Sequence, residues 1–422
     1  MTRDYDVIVV GGGSAGVAAA VGAADAGART LLIERGSSLG GAATLRNVLT
    51  YCGLYNSDQR QVVYGVAERV LTELRAVNGV SAPVSAPVHG PVEGSVTFVT
   101  VDPEAVKWSL DTVCARAGVE VLLYSTVFDA ERDGDRIASL AVAEPGGTAR
   151  YTARVFVDAS GEASLAAAAG ALIRYGNDGR VQTGTLGLRF GGVPASADVS
   201  VNAVEAAVTD AVSRGIGPLT SRSGFVTRIP PSNDLVAYLA DEDYNALDTA
   251  DLSRATAHAR RQAHAYLEVI RSLPGCADAY LVSTADLGTR QSRHIVSRHP
   301  LSGHHVLSGT TSPDTVAVGT WPPEYHPGAG RPAQWAFIGG TGSYDIPLGL
   351  LQSQNTDNLF AAGRLLDADQ QASASLRVMG TAFATGHAAG VAAALSAHRR
   401  EVTGTAVRHE LLLQGAQLPD PM

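Results

Sequence analysis

Along the chain, short apolar runs alternate with alanine-rich segments, and the two periodicities predict different elements. Asp6-Val7-Ile8-Val9-Val10 and Thr30-Leu31-Leu32-Ile33 are brief runs rich in branched residues, bounded by turn residues, as buried strands are. Between them, Val17–Ala26 is alanine-rich and predicts a helix. Gln61–Ala76 repeats apolar residues at Val62, Val66, Val70 and Leu74, an i, i+4 stripe that predicts a second helix. Val77–Ser95, rich in Pro, Ser and Gly, reads as a loop. Asp102-Pro103-Glu104 supplies a capping acid, a proline at the first helical position and an acid in the first turn, so a helix should run on to Ala117. Val119–Leu123 and the strands around an Arg-Asp-Gly-Asp turn at 132–135 form a β-meander. Val155-Phe156-Val157-Asp158 is a buried strand ending in the small residues Ala159, Ser160 and Gly161, followed by an alanine-rich helix over Glu162–Gly170.

The character changes between 173 and 338, where short strands, prolines and polar turns surround one long helix, Thr249–Ser272. This reads as a separate substrate or cap domain, with His258 and His264 on the solvated face of its helix. Asp286–Val296 places two arginines and a histidine on an expected apolar strand, and arginine there points to carboxylate or carbonyl recognition. His304-His305 and His326 fall in irregular loops with no partnered acid, so no zinc-type spacing is present. The last part returns to strand and helix: Asn358–Gly363 is a buried strand, and Thr381–Leu395 a helix with small residues at Ala382, Gly386 and Gly390. The first helix carries a matching small stripe at Gly16, Ala20 and Ala24, which permits close contact. The segment 378–395 contains His387 and two threonines and reads as a buried core helix rather than a membrane span.

Candidate chemistry begins at Gly11, Gly13 and Gly16, which fit G-x-G-x-x-G directly after the first strand. The first glycine makes a tight turn, the second admits backbone close to a pyrophosphate, and the third lets helix pack on strand. The helix N-terminus adds free N–H groups and partial positive charge for the diphosphate. Glu34 ends the second strand 18 residues past Gly16, where an acid accepts the adenosine ribose hydroxyls. Glutamate rather than arginine there argues against a 2′-phosphate and hence against NADP, which leaves FAD and NAD. The glycine pair Gly40-Gly41 then lets the chain turn back along the cofactor. Asn47–Tyr55 (NVLTYCGLY) could bring Tyr51 or Cys52 near the cofactor ring, although an inert buried Cys52 is the favoured reading.

Composition narrows the classes. A chain of 422 residues, 45% hydrophobic and 17% charged, supports an enzyme of two domains or one large α/β domain with insertions. A net charge of −9 disfavours nucleic acid as a partner. Three cysteines without a CxxC pair exclude an unaided iron–sulfur site or thioredoxin-like pair, and with a short charged stretch from Met1 to Tyr5 instead of a signal peptide they point to the cytoplasm. Gly339-Gly340-Thr341-Gly342 is followed by Tyr-Asp-Ile-Pro rather than a helix, so a second, NAD(P)H-binding unit is not expected.

Together the segments GGGSAG, ER, LGGAA, FVDASGEASLAAAAG, LGTRQSRHIV, YDIPLGLL and NLFAAGRLLDADQQASASLRVMGTAFATGHAAGVAAAL resemble the FAD-dependent oxidoreductase family of the glutathione-reductase-type FAD fold, distantly similar to fumarate reductase flavoproteins. Family members often carry an acid where this chain has Gln291, and an aromatic where it has Leu348-Gly349. The resemblance implies an α/β chain with a Rossmann-like FAD-binding domain in parts 1–60, 101–172 and 339–400. The cap would comprise a segment 61–100 and an inserted α+β substrate domain 173–338, with a tail at 401–422. It implies that Gly11, Gly13, Ser14, Ala15 and Gly16 hold the FAD diphosphate, with Glu34 and Arg35 at the adenosine end. Gly41, Ala42 and Thr44 would border the flavin, Val127 the adenine side, and Ala159, Ser160 and Gly161 the diphosphate. Gly363 and Arg364 would meet the ribityl chain, and Arg377, Val378 and Met379 the ring, where the following helix N-terminus stabilises negative charge on reduced flavin.

The function expected is a dehydrogenase or oxidase that takes a hydride from a small polar or anionic substrate between the FAD and cap domains. Arg290 and Arg293 would orient that substrate, and His294 and Tyr344 would transfer protons. An external acceptor such as oxygen, a quinone or a protein would reoxidise the FAD. A fumarate-reductase-like reduction of a C=C bond, a non-redox isomerase or hydratase, and a non-catalytic electron carrier stay open. So do a homo-oligomer and covalent attachment of FAD at Cys52 or His89.

Overall fold

The structure, a computed structural model, describes residues 3–88, 92–400 and 402–419. His89 lies outside the described residues. The largest sheet has seven strands. Its parallel part places Arg3–Val10 between Thr30–Ile33 and Gly147–Asp158, with Glu120–Leu122 outside Thr30–Ile33 and Leu359–Ala361 also parallel to Gly147–Asp158. The register brings Val10 opposite both Ile33 and Asp158, and Asp158 opposite Ala361. Three chain segments far apart in sequence therefore end at one level, opening the crevice where open α/β sheets bind ligands. Thr126–Asp133, Arg136–Glu144 and Gly147–Asp158 form the expected antiparallel meander on this sheet. The chain is thus α/β with a Rossmann-type sheet.

Helices Ser14–Asp25 and Met379–Ala397 pack against this sheet, and nearly every residue of the second is buried. Among the described residues no single helix is long and apolar enough to cross a membrane. The small stripes expected on both helices meet. A Cβ on Gly386 would run into the Ala15 carbonyl, and one on Gly390 into that of Ala19.

A second hydrophobic cluster, running in sequence from Leu186 to Leu287, lies within the stretch expected as cap. There Val226–Arg228, Leu235–Glu242, Gly184–Gly191 and Tyr280–Thr284 form an antiparallel sheet, against which Thr249–Ser272 packs through Ala255, Ala259, Ala263 and Tyr266. Ile295, Leu301, Val306 and Val316, within the stretch expected as cap, pack instead in the first cluster. The apolar faces of 293–319 are thus covered by the FAD-side core, and the unit with its own core is narrower than 173–338.

Other expectations shift for local reasons. The helix expected from Gln61 begins at Val66, because Val62 and Val63 donate their N–H groups to the Leu54 carbonyl. The expected loop 77–95 contains a strand, Val84–Pro87, paired with Ser95–Thr100. In 286–296 only Arg293–Ile295 is strand, since Gly288 is tied to Thr185 in an isolated bridge and the following turn leaves the sheet. The helix at 162–170 is reduced to Ser164–Ala168. Asp102 does cap its helix, accepting from the Ala105 N–H at 2.9 Å.

Candidate functional site

The strand ends frame a slot of glycine backbone. Gly11 adopts φ +101°, open to glycine, and a Cβ there would stand 2.5 Å from the Ala159 carbonyl oxygen. A Cβ on Gly16 would collide with the Gly11 carbonyl, so helix and turn touch directly. Gly13 differs: its Cβ would meet only the Gly41 Cα, at 3.9 Å, while one on Gly41 would approach the Gly13 Cα to 3.0 Å. The two glycines thus face each other across a slot free of side chains. Ser14, at the first turn of the helix, has a buried hydroxyl without a partner among the described residues, as does Ser38 beside Gly40-Gly41. Open glycine backbone, orphaned hydroxyls and a helix N-terminus are what a diphosphate needs, and the residues fit the group.

Glu34 is buried at this end, and its carboxylate accepts the N–H groups of Gly12 and Gly36, each at 2.6 Å. It thereby clamps the glycine turn to the loop that begins at Arg35. Tyr124 and Ser125 donate backbone bonds to Gly36 and Glu34, which sets the start of the Val127 strand beside that loop. Ala42 and Thr44 lie on the one-turn helix after Gly41, where the Thr44 hydroxyl donates to the Leu39 carbonyl at 2.7 Å.

Across the slot, Ala159–Gly161 lead into Glu162, around which basic groups gather. Its carboxylate takes Arg364 at 3.0 Å and Arg46 at 3.4 Å. Burial alone would raise the Glu162 carboxyl, but Arg364, Arg46 and Arg35 together hold it below its ordinary value. Arg364 stands over Gly161 and also donates to the Thr289 carbonyl. Gly363, at φ +79°, packs on Ala15 and donates its N–H to Thr385 at 3.2 Å. The diphosphate and ribityl candidates of both chain halves are therefore adjacent. Arg46 is the member the sequence reading missed.

At the end expected to meet the ring, Val378 caps the helix Met379–Ala397, with Arg377 just before it. Gly380 lies against the backbone of Cys52-Gly53, and Thr381 in the first turn has a buried hydroxyl without a partner among the described residues. The NVLTYCGLY stretch thus lines the same end. Tyr51 is buried edge-on against Phe383 at 5.4 Å, and Cys52, whose thiol burial pushes up to about 12, lies near Thr50. The cap touches this loop directly: the Tyr238 hydroxyl accepts from the Leu49 N–H at 2.8 Å and donates to the Asn47 carbonyl at 3.1 Å.

Between cap and helix lies a cluster the sequence did not announce. Arg377 reaches the Glu324 carbonyl at 2.9 Å and its carboxylate at 3.5 Å. The same carboxylate takes the Trp321 indole N–H at 3.3 Å and the His326 Nε2 at 3.2 Å. His326 therefore does have a partnered acid, Glu324, which opens the two-residue strand Glu324–Tyr325 just before it. Arg290 completes the group: its Nη1 donates to the Thr183 carbonyl and the Thr185 hydroxyl, each at 2.7 Å, and its charge acts on Glu324 and His326. Burial would raise Glu324, but His326, Arg377 and Arg290 bring it to about 2. Burial and the Arg290 charge push His326 down to about 4 against the pull of Glu324.

The four residues expected to handle substrate thus part company. Arg293 donates its Nε to the Glu162 carbonyl at 2.7 Å and acts on Asp158, so it lies with the strand end at Asp158 and not with Arg290. His294 is buried with both ring nitrogens engaged, by the Leu366 carbonyl at 2.8 Å and by Gln291 at 3.1 Å. Burial holds that ring down to about 4, the neutral form this bonding requires. Tyr344 is buried too, its hydroxyl 2.8 Å from that of Ser375. Burial raises that phenol, which disfavours proton release. Neither group is free to exchange protons with a substrate.

A parallel sheet with a glycine slot at its carboxyl edge, an acid clamping the turn and a second helix N-terminus facing the far end define a dinucleotide-binding enzyme of the flavin type. The chain belongs to the FAD dependent oxidoreductase family, whose pattern it matches over residues 6–412. FAD is accordingly its cofactor. The fold is similar to a geranylgeranyl bacteriochlorophyll reductase-like protein from Thermoplasma acidophilum, with TM-score 0.50 and 14% identity over 98% of this chain and 83% of that one. It is also similar to the flavin-dependent brominase Bmp2, with TM-score 0.51 and 13% identity over 97% of this chain and 83% of the other. At these identities the likeness concerns the fold alone. No curated protein matches the sequence.

Proposed function

We propose that the enzyme oxidises a small anionic substrate held between the cap sheet and the N-terminal end of Met379–Ala397. FAD, when bound, supplies the two-electron acceptor for the hydride. Gly11, Gly13, Ser14, Ala15, Gly16, Gly41 and Ala159–Gly161 would hold its diphosphate, Glu34 and Arg35 its adenosine end, with Val127 flanking the adenine. Arg364 and Gly363 would lie along the ribityl chain, and Ala42, Thr44, Arg377, Val378 and Met379 around the ring.

The observation that carries the substrate reading is a charge imbalance. Arg377 pairs with Glu324, and the Arg290 charge acts on the same carboxylate from a distance, beside a neutral His326. A half-buried site with two guanidinium groups and one acid lacks a negative charge, and a substrate carboxylate supplies it. Arg290 is the group placed to take it, since among the described residues only its Nη1 is bonded. Arg377 is fixed by Glu324 and holds the field around the ring end.

The test is an anaerobic screen of small acids, neutral alcohols and amines for bleaching of the flavin absorbance. Acids with an oxidisable C–H bond are expected to bleach it, with loss of that response in R290Q. Bleaching by neutral compounds alone, or an R290Q variant that responds like wild type, sinks the reading.

A further inference from the structure

We propose that His326 is the proton acceptor for a hydroxyl on the substrate, which makes the substrate class a small hydroxy carboxylate. The inference rests on the anion-site reading above and extends it to the reacting group.

The geometry fixes which ring nitrogen is available. The Glu324 carboxylate is held by the Trp321 N–H at 3.3 Å and by Arg377 at 3.5 Å, and an ionised carboxylate only accepts hydrogen bonds. His326 Nε2, 3.2 Å from that carboxylate, must therefore carry the hydrogen, and Nδ1 keeps its lone pair. Nδ1 has no hydrogen-bond partner among the described residues, so the lone pair is left for a ligand. The backbone on both sides is pinned to the cap: the His326 N–H donates to the Gln182 side chain at 3.2 Å, and its carbonyl accepts from the Thr183 N–H at 3.3 Å. Thr183 also receives Arg290 at 2.7 Å, so the base and the anion-binding arginine are anchored to one stretch of chain, Gln182-Thr183, just before the strand Gly184–Gly191. A carboxylate behind an imidazole orients the ring and stabilises the imidazolium formed when it takes a proton.

This arrangement discriminates between reacting groups. A hydroxyl is far too weak an acid to ionise before reaction, so its oxidation needs a positioned base. An amine arrives as an ammonium ion and would add positive charge to a site that already has an excess. In the balanced step the carbinol C–H bond breaks and its hydrogen leaves with the electron pair for FAD. The O–H bond breaks with its proton passing to His326 Nδ1, and the C–O bond becomes a carbonyl. The products are an oxo acid, two-electron-reduced cofactor and an imidazolium that returns its proton to solvent. An external electron acceptor then restores the cofactor.

The experiment uses the FAD-loaded protein and two readouts. Oxalate, which has no carbinol hydrogen, is titrated by calorimetry to report the anion site. Stopped-flow flavin reduction is then followed with glycolate, lactate, malate and mandelate, and with the 2-amino acids glycine, alanine, aspartate and phenylglycine. The proposal expects oxalate binding, reduction by one or more hydroxy acids and none by the amino acids. His326→Asn should slow reduction at least about 100-fold at neutral pH while leaving oxalate affinity within about threefold. His326→Gln asks the same question if H326N does not retain FAD. Absence of oxalate binding defeats the anion-site reading and this inference with it. Oxalate binding with reduction by amino acids, by none of the hydroxy acids, or at an unchanged rate in H326N or H326Q overturns the assignment of His326 alone.

Discussion

Gly386 rests on the carbonyl of Ala15, with no room for a Cβ between them. That contact locks the helix that opens the glycine slot to the helix whose N-terminus faces the opposite end of the cofactor crevice. Overpacking a contact of this kind costs about 3 kcal/mol. Gly386→Val should therefore lower the unfolding free energy from urea titration by that amount and release FAD at a lower temperature in a flavin-fluorescence melt. Gly146→Ala, at a turn where a Cβ meets nothing within 4 Å, is the control and should stay within about 0.5 kcal/mol of wild type.

Glu34 gives each of its oxygens to a backbone N–H, those of Gly12 and Gly36, at 2.6 Å. An amide in its place turns an NH2 group toward one of those donors. Glu34→Gln should weaken FAD binding about 10-fold or more, read from quenching of flavin fluorescence as apoprotein is titrated. An unchanged affinity would show that the clamp contributes nothing to the cofactor site.

Arg290 is held by Thr183 and Thr185 at 2.7 Å, and its other N–H groups have no partner among the described residues. Arg290→Gln should raise the dissociation constant for oxalate by about 10- to 100-fold, the value of a hydrogen bond to a charged group. The FAD dissociation constant should not move. Calorimetry separates the two.

Tyr344 shares its hydroxyl with Ser375, which in turn donates to the Trp321 carbonyl. Removal of one buried hydrogen bond costs about 1 kcal/mol. Tyr344→Phe is expected to lower stability by that amount and to leave the rate of flavin reduction nearly unchanged. A large fall in rate with unaltered stability would return Tyr344 to the chemistry.

His387 is buried beneath the first helix, its Nε2 2.7 Å from the Gln414 side-chain oxygen, and burial pushes it down to about 4. An unfolded histidine titrates near 6.5. Between those values the unfolded chain binds a proton that the folded chain refuses, so stability falls as pH drops from about 6.5 toward 4. The loss is on the order of 2 kcal/mol per such histidine between pH 7 and 5. His387→Gln should flatten that slope in urea titrations at the two pH values, even though it lowers stability at pH 7.

Much of the fold was legible because local rules and the tertiary structure agree. The strand at Thr30–Ile33, the helix at Thr249–Ser272 and the capped helix after Asp102 follow from apolar runs, helical composition and capping chemistry alone. The small stripes on the two core helices were visible because only residues without bulky side chains permit backbone contact. The glycine slot was legible for the same reason: a glycine turn leaves its spacing in the sequence.

The substrate end was not. Histidine and arginine were visible at 290–294, but one residue of rotation decides whether a side chain enters a cleft or a core. His294 pairs with Arg174 across a two-stranded sheet and is buried, while Arg293 beside it turns to Glu162. The sequence by itself determined the βαβ unit, its cofactor class and the helices that must touch, because those depend on spacing within single elements. Only the tertiary structure decided that Glu324, His326, Arg290 and Arg377 form one electrostatic group. Their meeting depends on the cap sheet, a two-residue strand and a helix start arriving at one place, and no local pattern encodes that coincidence.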